Sequence, residues 1–407
     1  MRICLVYDCL YPHTVGGAER WYRDLGKRLA RDGHDVTYLT LRQWDRDERP
    51  GVDGVRVVAV GPRMRLYGSN GNRRVLPALV FGAGVLWHLL GRGGRYEAVH
   101  TASFPYFSVI AAATVRPLHR FGLVVDWHEV WTRAYWREYL GPIGGLLGWT
   151  VQRLCVRVRQ QAFCFSQLNL ERLRGEGLRG ELERLPGMYA GPPAGGEPAP
   201  AEPLVLFAGR HIRQKRVGAL VPAVALARQQ APELRGLILG DGPERSAVLR
   251  AITRYGLEEA VSAPGFVEAD ELERAVQRAL CVVLPSQREG YGLIVVEAAA
   301  AGTPSVVARA PESAATELVH DGENGFVAES VEPEALAAAI LRVRDEGLAL
   351  RERTVAWFRR NADRLSLERS LEAVSASYVD APGVTRAGAA PGLKVGRRRR
   401  RSESRRW

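Results

Sequence analysis

Residues 285–307 read PSQREGYGLIVVEAAAAGTPSVV, and in this stretch two glutamates, Glu289 and Glu297, stand with seven residues between them. Glu289 closes a polar loop after the apolar run Cys281–Leu284 and is followed by Gly290, Tyr291 and Gly292. Glycines there let backbone approach a ligand closely, so the segment reads as a strand followed by a binding loop. From Leu293 the chain becomes LIVVEAAAA, a helix apolar on nearly every side and stopped by Gly302 and Pro304. Glu297 is therefore expected to be buried, and a buried carboxylate without hydrogen-bond donors is costly. A sugar diol would supply them; an arginine inside the fold would serve as well. A continuous helix would set the two carboxylates roughly 12 Å apart along its axis, too far to share one proton transfer. They could instead grip the two ends of an extended ligand, with the N-terminus of the helix between them facing a phosphate.

Outward from this stretch the pattern is βαβ. The second half starts at Leu204–Ala208, continues through a helix marked by Val217, Leu220, Val221 and Val224 to GLILGDG at 236–242, and reaches Cys281–Leu284 and 304–308. The first half has strand-like runs at 2–7, 36–41, 55–60, 98–100, 123–125 and 162–165, separated by segments suited to helices. Its first helix is signalled by Ala18, Trp21, Tyr22, Leu25 and Leu29, one apolar face at helical spacing, preceded by Gly16 and Gly17. A strand, a glycine pair and a helix start make an anion cradle or simply a tight turn. Between the halves lies PGMYAGPPAGGEPAPAEP at 186–203, dense in Pro, Gly and Ala, which reads as a linker. The expected fold class is α/β: two Rossmann-like parallel-sheet domains, 1–190 and 204–355, facing across a cleft that holds ligand at the carboxyl ends of the strands. The linker is placed at 191–203.

At 407 residues and 46% hydrophobic content the chain has material for two or three domains with ordinary cores. The start MRICLVYD enters a strand directly, without the features of a secretory signal, and the expected location is the cytoplasm. The five cysteines are scattered, without metal-ligand or CxxC spacing, and read as reduced structural residues. The net charge of +12 owes much to the last dozen residues, GRRRRRSESRRW, and the tail from 380 to 407 is expected to be disordered. No apolar run reaches a membrane span; the nearest, 75–90, contains Pro77 and His88 and has arginines on both flanks. This segment, 140–159 and the arginine-rich tail suit the surface of an anionic membrane, so a peripheral place on its inner face is a candidate. Core helices would look the same. No recognition motif for nucleic acid is present, and no nucleic acid partner is expected.

Two further loops carry chemistry. After Leu204–Ala208 comes GRHIRQKR, where Arg210 and Lys215 can turn toward the cleft and neutralise a diphosphate without a metal ion. In the first half VVDWHEVW puts His128 just past a buried strand, beside Asp126, Trp127 and Glu129. These are neighbours on one turn rather than a ligand set with metal spacing, so no metal site is expected.

The motifs VGGAERW (15–21), DWHE (126–129), FAGRHIRQK (207–215), GDGPE (240–244), PGFV (264–267) and the stretch 285–307 together resemble glycosyltransferase family 4. The resemblance spans most of the chain. It implies a retaining enzyme of GT-B fold, with a C-terminal helix near 356–378 packing back onto the first domain. By that resemblance the donor substrate is a nucleotide diphosphate sugar, with no cofactor and no metal, and the acceptor is a glycan or a lipid-linked acceptor of cell-surface polysaccharide or glycolipid synthesis. Glu289 would contact hydroxyls of the donor hexose, Gly290, Tyr291, Gly292 and Leu293 would offer backbone N–H groups, and Glu297 would hold the ribose. Arg210 and Lys215 would stabilise the leaving diphosphate, Gly16 and Gly17 would lie near it, and His128 would line the sugar pocket. One departure stands out: around Ala310 the chain reads ARAPESAATELV, where the family commonly carries a glycine-containing loop before the position of Glu317. A nucleotide-sugar epimerase and a non-catalytic sugar-nucleotide or membrane-binding module are the rival readings. An epimerase needs acid and base groups around the sugar ring and no acceptor site.

Overall fold

The computed structural model describes residues 1–45, 47–48, 50–68, 71–192 and 200–378. The tail expected from 380 onward, and most of the proline-rich linker, lie outside the described residues. The first sheet contains β1 (Arg2–Val6), β2 (Asp35–Leu41), β3 (Val55–Gly61), β4 (Ala98–Ala102), β5 (Gly122–Trp127), β6 (Gln160–Cys164) and β7 (Gly180–Arg184). All its pairings are parallel, in the order β3-β2-β1-β4-β5-β6-β7. Helices α1 (Gly17–Arg31), α2 (Val75–Arg92), α3 (Phe107–His119), α4 (Arg133–Val156) and α5 (Gln167–Gly175) make the crossovers.

The second sheet runs β10-β9-β8-β11-β13-β15. Its strands are β8 (Leu204–Ala208), β9 (Arg235–Leu239), β10 (Val261–Gly265), β11 (Cys281–Leu284), β13 (Ser305–Ala308) and β15 (Gly325–Ala328). A separate short pair joins β12 (Arg288–Glu289) to β14 (Glu312–Ser313). Helices α6 (Leu220–Arg228), α7 (Arg245–Arg254), α8 (Ala269–Arg278), α9 (Leu293–Ala300), α10 (Pro333–Leu365) and α11 (Leu367–Ser377) complete the chain. The molecule is α/β with two parallel sheets, as the alternation of apolar runs requires. In both sheets strand order reverses beside the first strand, and the crevice outside the strand ends at such a switch point is where a ligand fits.

The central strands β4, β5 and β6 are buried along their whole length, which is why they read as continuous apolar runs rather than alternating ones. Helix α1 lays Trp21, Tyr22, Leu25 and Leu29 against the sheet, the face its spacing announces. The same hydrophobic core takes in Tyr291, Val295, Val296 and Leu318 from the second half, so the two sheets share apolar contacts. Beyond a break at Gly347 (φ 54°), α10 carries Trp357 and Phe358 into that core. Then α11 docks on the first half: Ser370 Oγ donates to the Gly187 carbonyl (2.6 Å), and the Tyr378 hydroxyl lies 2.6 Å from His100 Nδ1.

Helix α2 runs further than its sequence suggested. With the turn that follows it, Val75–Arg95 is long and apolar enough to cross a membrane by length and composition, because the helix continues through the arginine-bearing end past Leu90. Phe81, Val85, His88 and Leu89 are nonetheless buried in the first domain, where α2 packs on β3 and α3.

Candidate active site

The carboxyl end of β8 feeds the loop that carries Arg210, and one turn later Lys215 closes a 3-10 turn, Arg213–Lys215. Lys215 Nζ donates to Glu289 Oε1, and Ser286 Oγ donates to the same oxygen at 3.0 Å. Glu289 ends the short strand β12 and keeps only 11% of its side chain exposed. One cation and one carboxylate of the expected pair of subsites are thus tied together. Just past Glu289 the backbone has no room for a side chain: a Cβ on Gly290 would come within 2.3 Å of the His128 carbonyl oxygen. Gly292 caps α9 at φ 101°, a left-handed conformation that β-substituted residues adopt at a cost. The first turn of α9 therefore begins four residues past Glu289; the Val295 N–H turns back to the Gly292 carbonyl at 2.9 Å, and helix geometry leaves the N–H groups ahead of it without intrahelical partners.

Glu297, one turn into α9, differs from expectation. It is not buried; 30% of its side chain is exposed, because this one face of α9 opens on a cavity of about 630 Å³ while Val295, Val296, Ala298 and Ala299 pack inward. Arg20, on α1 of the facing domain, lies 3.3 Å away. Partial burial pushes the Glu297 carboxyl above its ordinary range, and Arg20 pulls it part of the way back. The cavity is lined further by Gly17, Leu293, Tyr189, Glu273 and Leu272. Gly17 and Leu293 thus border the same space as Glu297.

On the facing domain, Gly16 caps α1 in an extended conformation, and the Glu19 carboxylate folds back so closely that a Cβ on Gly16 would meet its oxygen at 2.5 Å. The His128 ring stacks on Phe165 with centroids 4.9 Å apart, and its Nε2 has no hydrogen-bond partner among the described residues. Burial keeps the His128 ring below its ordinary pKa against the pull of Asp126 and Glu129, so it is neutral near pH 7. Asp126 does not reach the cleft. It is fully buried, accepts from Trp21 Nε1 (2.7 Å), and lies 2.9 Å from His100 Nε2. Burial pushes the Asp126 carboxyl up, but His100, His128 and Trp21 outweigh that and hold it below the ordinary carboxylate range.

Contacts across the cleft hold these pieces in register. Asn169 Nδ2 donates to the carbonyls of His128 (3.1 Å) and Gly290 (3.4 Å), one from each domain. Arg288 lies 3.0 Å from Glu129, donates to the Tyr135 hydroxyl at 2.7 Å, and stacks on Trp131. The departing loop around Ala310 bonds to the other domain: Glu312 pairs with Arg172 at 2.7 Å, and Glu317 accepts from the N–H groups of Gln167 and Leu168 at the start of α5. Tyr291 turns away from the cleft. Its hydroxyl donates to the Pro186 carbonyl at 2.7 Å, so only its backbone faces the site. Arg210 donates to the Tyr67 hydroxyl of the opposite domain at 3.2 Å.

Arg20, Tyr67, Asn169 and Arg288 were not singled out in the sequence. Arg20 had a local signal, since it follows the glycine pair by three positions on the polar side of α1. The other three are recruited by long-range packing and carry no such mark. As a whole the arrangement offers two cations and a helix N-terminus between two carboxylates. That suits stabilisation of negative charge on a departing diphosphate.

Comparison with known proteins shows the family and the fold. The model of the family "Glycosyltransferase Family 4" matches residues 15–185, and that of "Glycosyl transferases group 1" matches residues 195–357. A glycogen synthase from Mycobacterium tuberculosis is 28% identical over 374 residues, 87% of this chain and 88% of that protein. A D-inositol 3-phosphate glycosyltransferase from Acidothermus cellulolyticus is 32% identical over 44% of this chain and 41% of its own. Among solved structures, sucrose-phosphate synthase from Thermosynechococcus elongatus superposes with a TM-score of 0.74 at 20% identity, over 93% of this chain and 98% of that one. Anabaena HepE in complex with UDP gives 0.69 at 18% identity, over 93% and 100%.

Proposed function

The chain is a glycosyltransferase of family 4, its second half matching the group 1 glycosyl transferases, and from that premise we propose that it moves a hexose from a nucleotide diphosphate sugar to a glycan or lipid-linked acceptor. The observation that carries this reading is the convergence of Lys215, Glu289 and the α9 N-terminus on one side of the cleft, with Glu297 facing a cavity beyond them. In this reading Glu289 orients the sugar, Glu297 receives the ribose in place of Arg20, and the diphosphate lies between. Arg210, Lys215 and the helix N-terminus stabilise the leaving charge, which makes a metal ion unnecessary. The acceptor hydroxyl attacks from the face the diphosphate leaves, so that configuration at the anomeric carbon is retained. The leaving phosphate takes the proton from that hydroxyl, the C–O bond to it forms as the bond to the diphosphate breaks, and no residue of the chain becomes covalently attached.

Thermal-shift titration against a panel of UDP-, GDP- and ADP-sugars tests the donor site. A ligand at about 100 times its Kd adds on the order of 2.7 kcal/mol to the stability of the bound state, a shift of several degrees. A flat response to every member of the panel would remove the basis for the donor assignment.

The same reading places the enzyme in the cytoplasm, at the inner face of the cell membrane in polysaccharide or glycolipid synthesis. All five cysteines are free thiols, in keeping with a reducing compartment. Support for the membrane surface comes from the outer faces of α2 and α4. Leu76, Leu79, Trp87 and Leu90 stand exposed along α2, and Ile143, Leu146, Leu147 and Leu154 along α4. The Tyr139 hydroxyl accepts from the Arg73 N–H at 2.8 Å, which sets the start of α2 beside the first part of α4, just ahead of its break at Gly141. From Gly54 to Tyr96 the sequence has no Asp or Glu, and exposed Arg74, Arg92 and Arg95 flank α2, so the patch suits anionic lipid. The protein is expected to co-sediment with phosphatidylglycerol vesicles and not with phosphatidylcholine vesicles, and a Trp87→Asp/Ile143→Asp variant to stay in the supernatant. Equal sedimentation of variant and wild type would rule this face out.

A further inference from the structure

The loop between β3 and α2 belongs to the first domain yet reaches the phosphate-facing cation of the second. Leu66 and Arg74 are joined through the Arg74 N–H and the Leu66 carbonyl (2.9 Å), and Tyr67 bridges to Arg73 within this hairpin. The Arg73 guanidinium is anchored from below: it pairs with the buried Asp8 at the end of β1 and lies 3.3 Å from Cys9 Sγ. It stacks 5.0 Å from the centroid of the Tyr67 ring. Arg210 stacks at 5.6 Å from the same ring and donates to its hydroxyl at 3.2 Å. A second contact fixes the same approach. Gly71 lies so close to Ile212 and Pro243, in the loops after β8 and β9, that a Cβ would meet them at 2.9 and 3.1 Å.

Resting on the donor reading above, we propose that Tyr67 is a positioning residue for Arg210. Two guanidinium groups repel each other, and an aromatic ring that attracts both, with Asp8 compensating Arg73, holds Arg210 at the cleft in one orientation. Among the described residues no carboxylate forms a salt bridge with Arg210, unlike Lys215, which Glu289 holds. The consequence is that Arg210 is set for a diphosphate only when the two domains face each other as they do here. The first domain thereby takes part in donor binding through a residue that need not touch the donor.

The test compares UDP with UMP, with GDP and ADP alongside, by calorimetric titration of wild type, Tyr67→Phe, Tyr67→Ala, Arg210→Ala and the double variant. Loss of the hydroxyl in Tyr67→Phe is expected to weaken UDP about tenfold, the scale of a hydrogen bond to a charged group, while Tyr67→Ala weakens it further. UMP, which lacks the second phosphate, should stay within about twofold, and Tyr67→Phe should cost nothing more once Arg210 is alanine. Equal losses for UDP and UMP, or losses that add in the double variant, would overturn the role of Tyr67 while leaving the donor site intact. A wild type that binds none of the diphosphates would overturn the donor reading and this inference with it.

Discussion

Glu289→Ala is expected to lower kcat/KM for the sugar nucleotide by about 10³- to 10⁴-fold, the product of two separate losses. The first is the charge-assisted hydrogen bond to the sugar hydroxyls, about 1.5–3 kcal/mol. The second acts through Lys215: its ammonium is held by Glu289, and without that carboxylate it swings on a flexible stem. A misplaced catalytic group of this kind costs about 10²-fold by itself. Glu289→Gln keeps the shape and the bond from Ser286, so it should recover part of the rate but not the hold on Lys215. Initial-rate kinetics with the donor found in the titration panel measures both variants, and unchanged unfolding curves would show that neither loss comes from the fold. Turnover close to wild type in Glu289→Ala would sink the assignment of the sugar subsite.

Asp126→Ala is expected to destabilise the protein by about 3–5 kcal/mol, the usual result of removing one member of a buried ionic network. The carboxylate has no exposed surface, and its removal strands Trp21 Nε1 on α1 and His100 Nε2 on β4 at once. His100 is also the residue that meets Tyr378 past the end of α11, so the damage should spread to the docking of the C-terminal helix. Denaturant unfolding checks the magnitude, and limited proteolysis checks whether α11 is released first. Tyr378→Phe makes the comparison: it removes one hydroxyl and leaves the carboxylate satisfied, and its cost should be about 1–3 kcal/mol. A mild effect of Asp126→Ala, below that of Tyr378→Phe, would mean that Asp126 is not the centre of this network.

These two residues show what could be read without coordinates. Glu289 sat between an apolar run and two glycines, a local pattern with few structural explanations, and the cleft places it beside Lys215. Asp126 stood next to His128 in the same kind of pattern, at the end of a strand, yet its side chain points into the core. Side chains two apart on a strand share a face, but β5 ends at Trp127, so no local pattern says that Asp126 stays in the core while His128 follows the turn beyond the strand. Glu297 was legible as a carboxylate needing a donor. An arginine was one of the two partners open to it, but the identity of Arg20, distant in the chain, was not. Tyr291 was grouped with the glycines around it because it shares their loop, and only the fold turns its ring toward Pro186.

The sequence by itself determined the two α/β halves, the parallel sheets, the loops at their strand ends and the polar residues those loops carry. Such features rest on periodicity and on glycine placement, which are local properties of the chain. Tertiary structure alone decided that Arg20 meets Glu297, that Tyr67 meets Arg210, and that Asn169 holds the carbonyls of both domains together. Partners in each of these contacts lie more than a hundred residues apart for at least one bond, and their meeting depends on how two rigid sheets face each other. No local pattern encodes that angle; it follows from the apolar surface the two halves share and from α11 docking back onto the first.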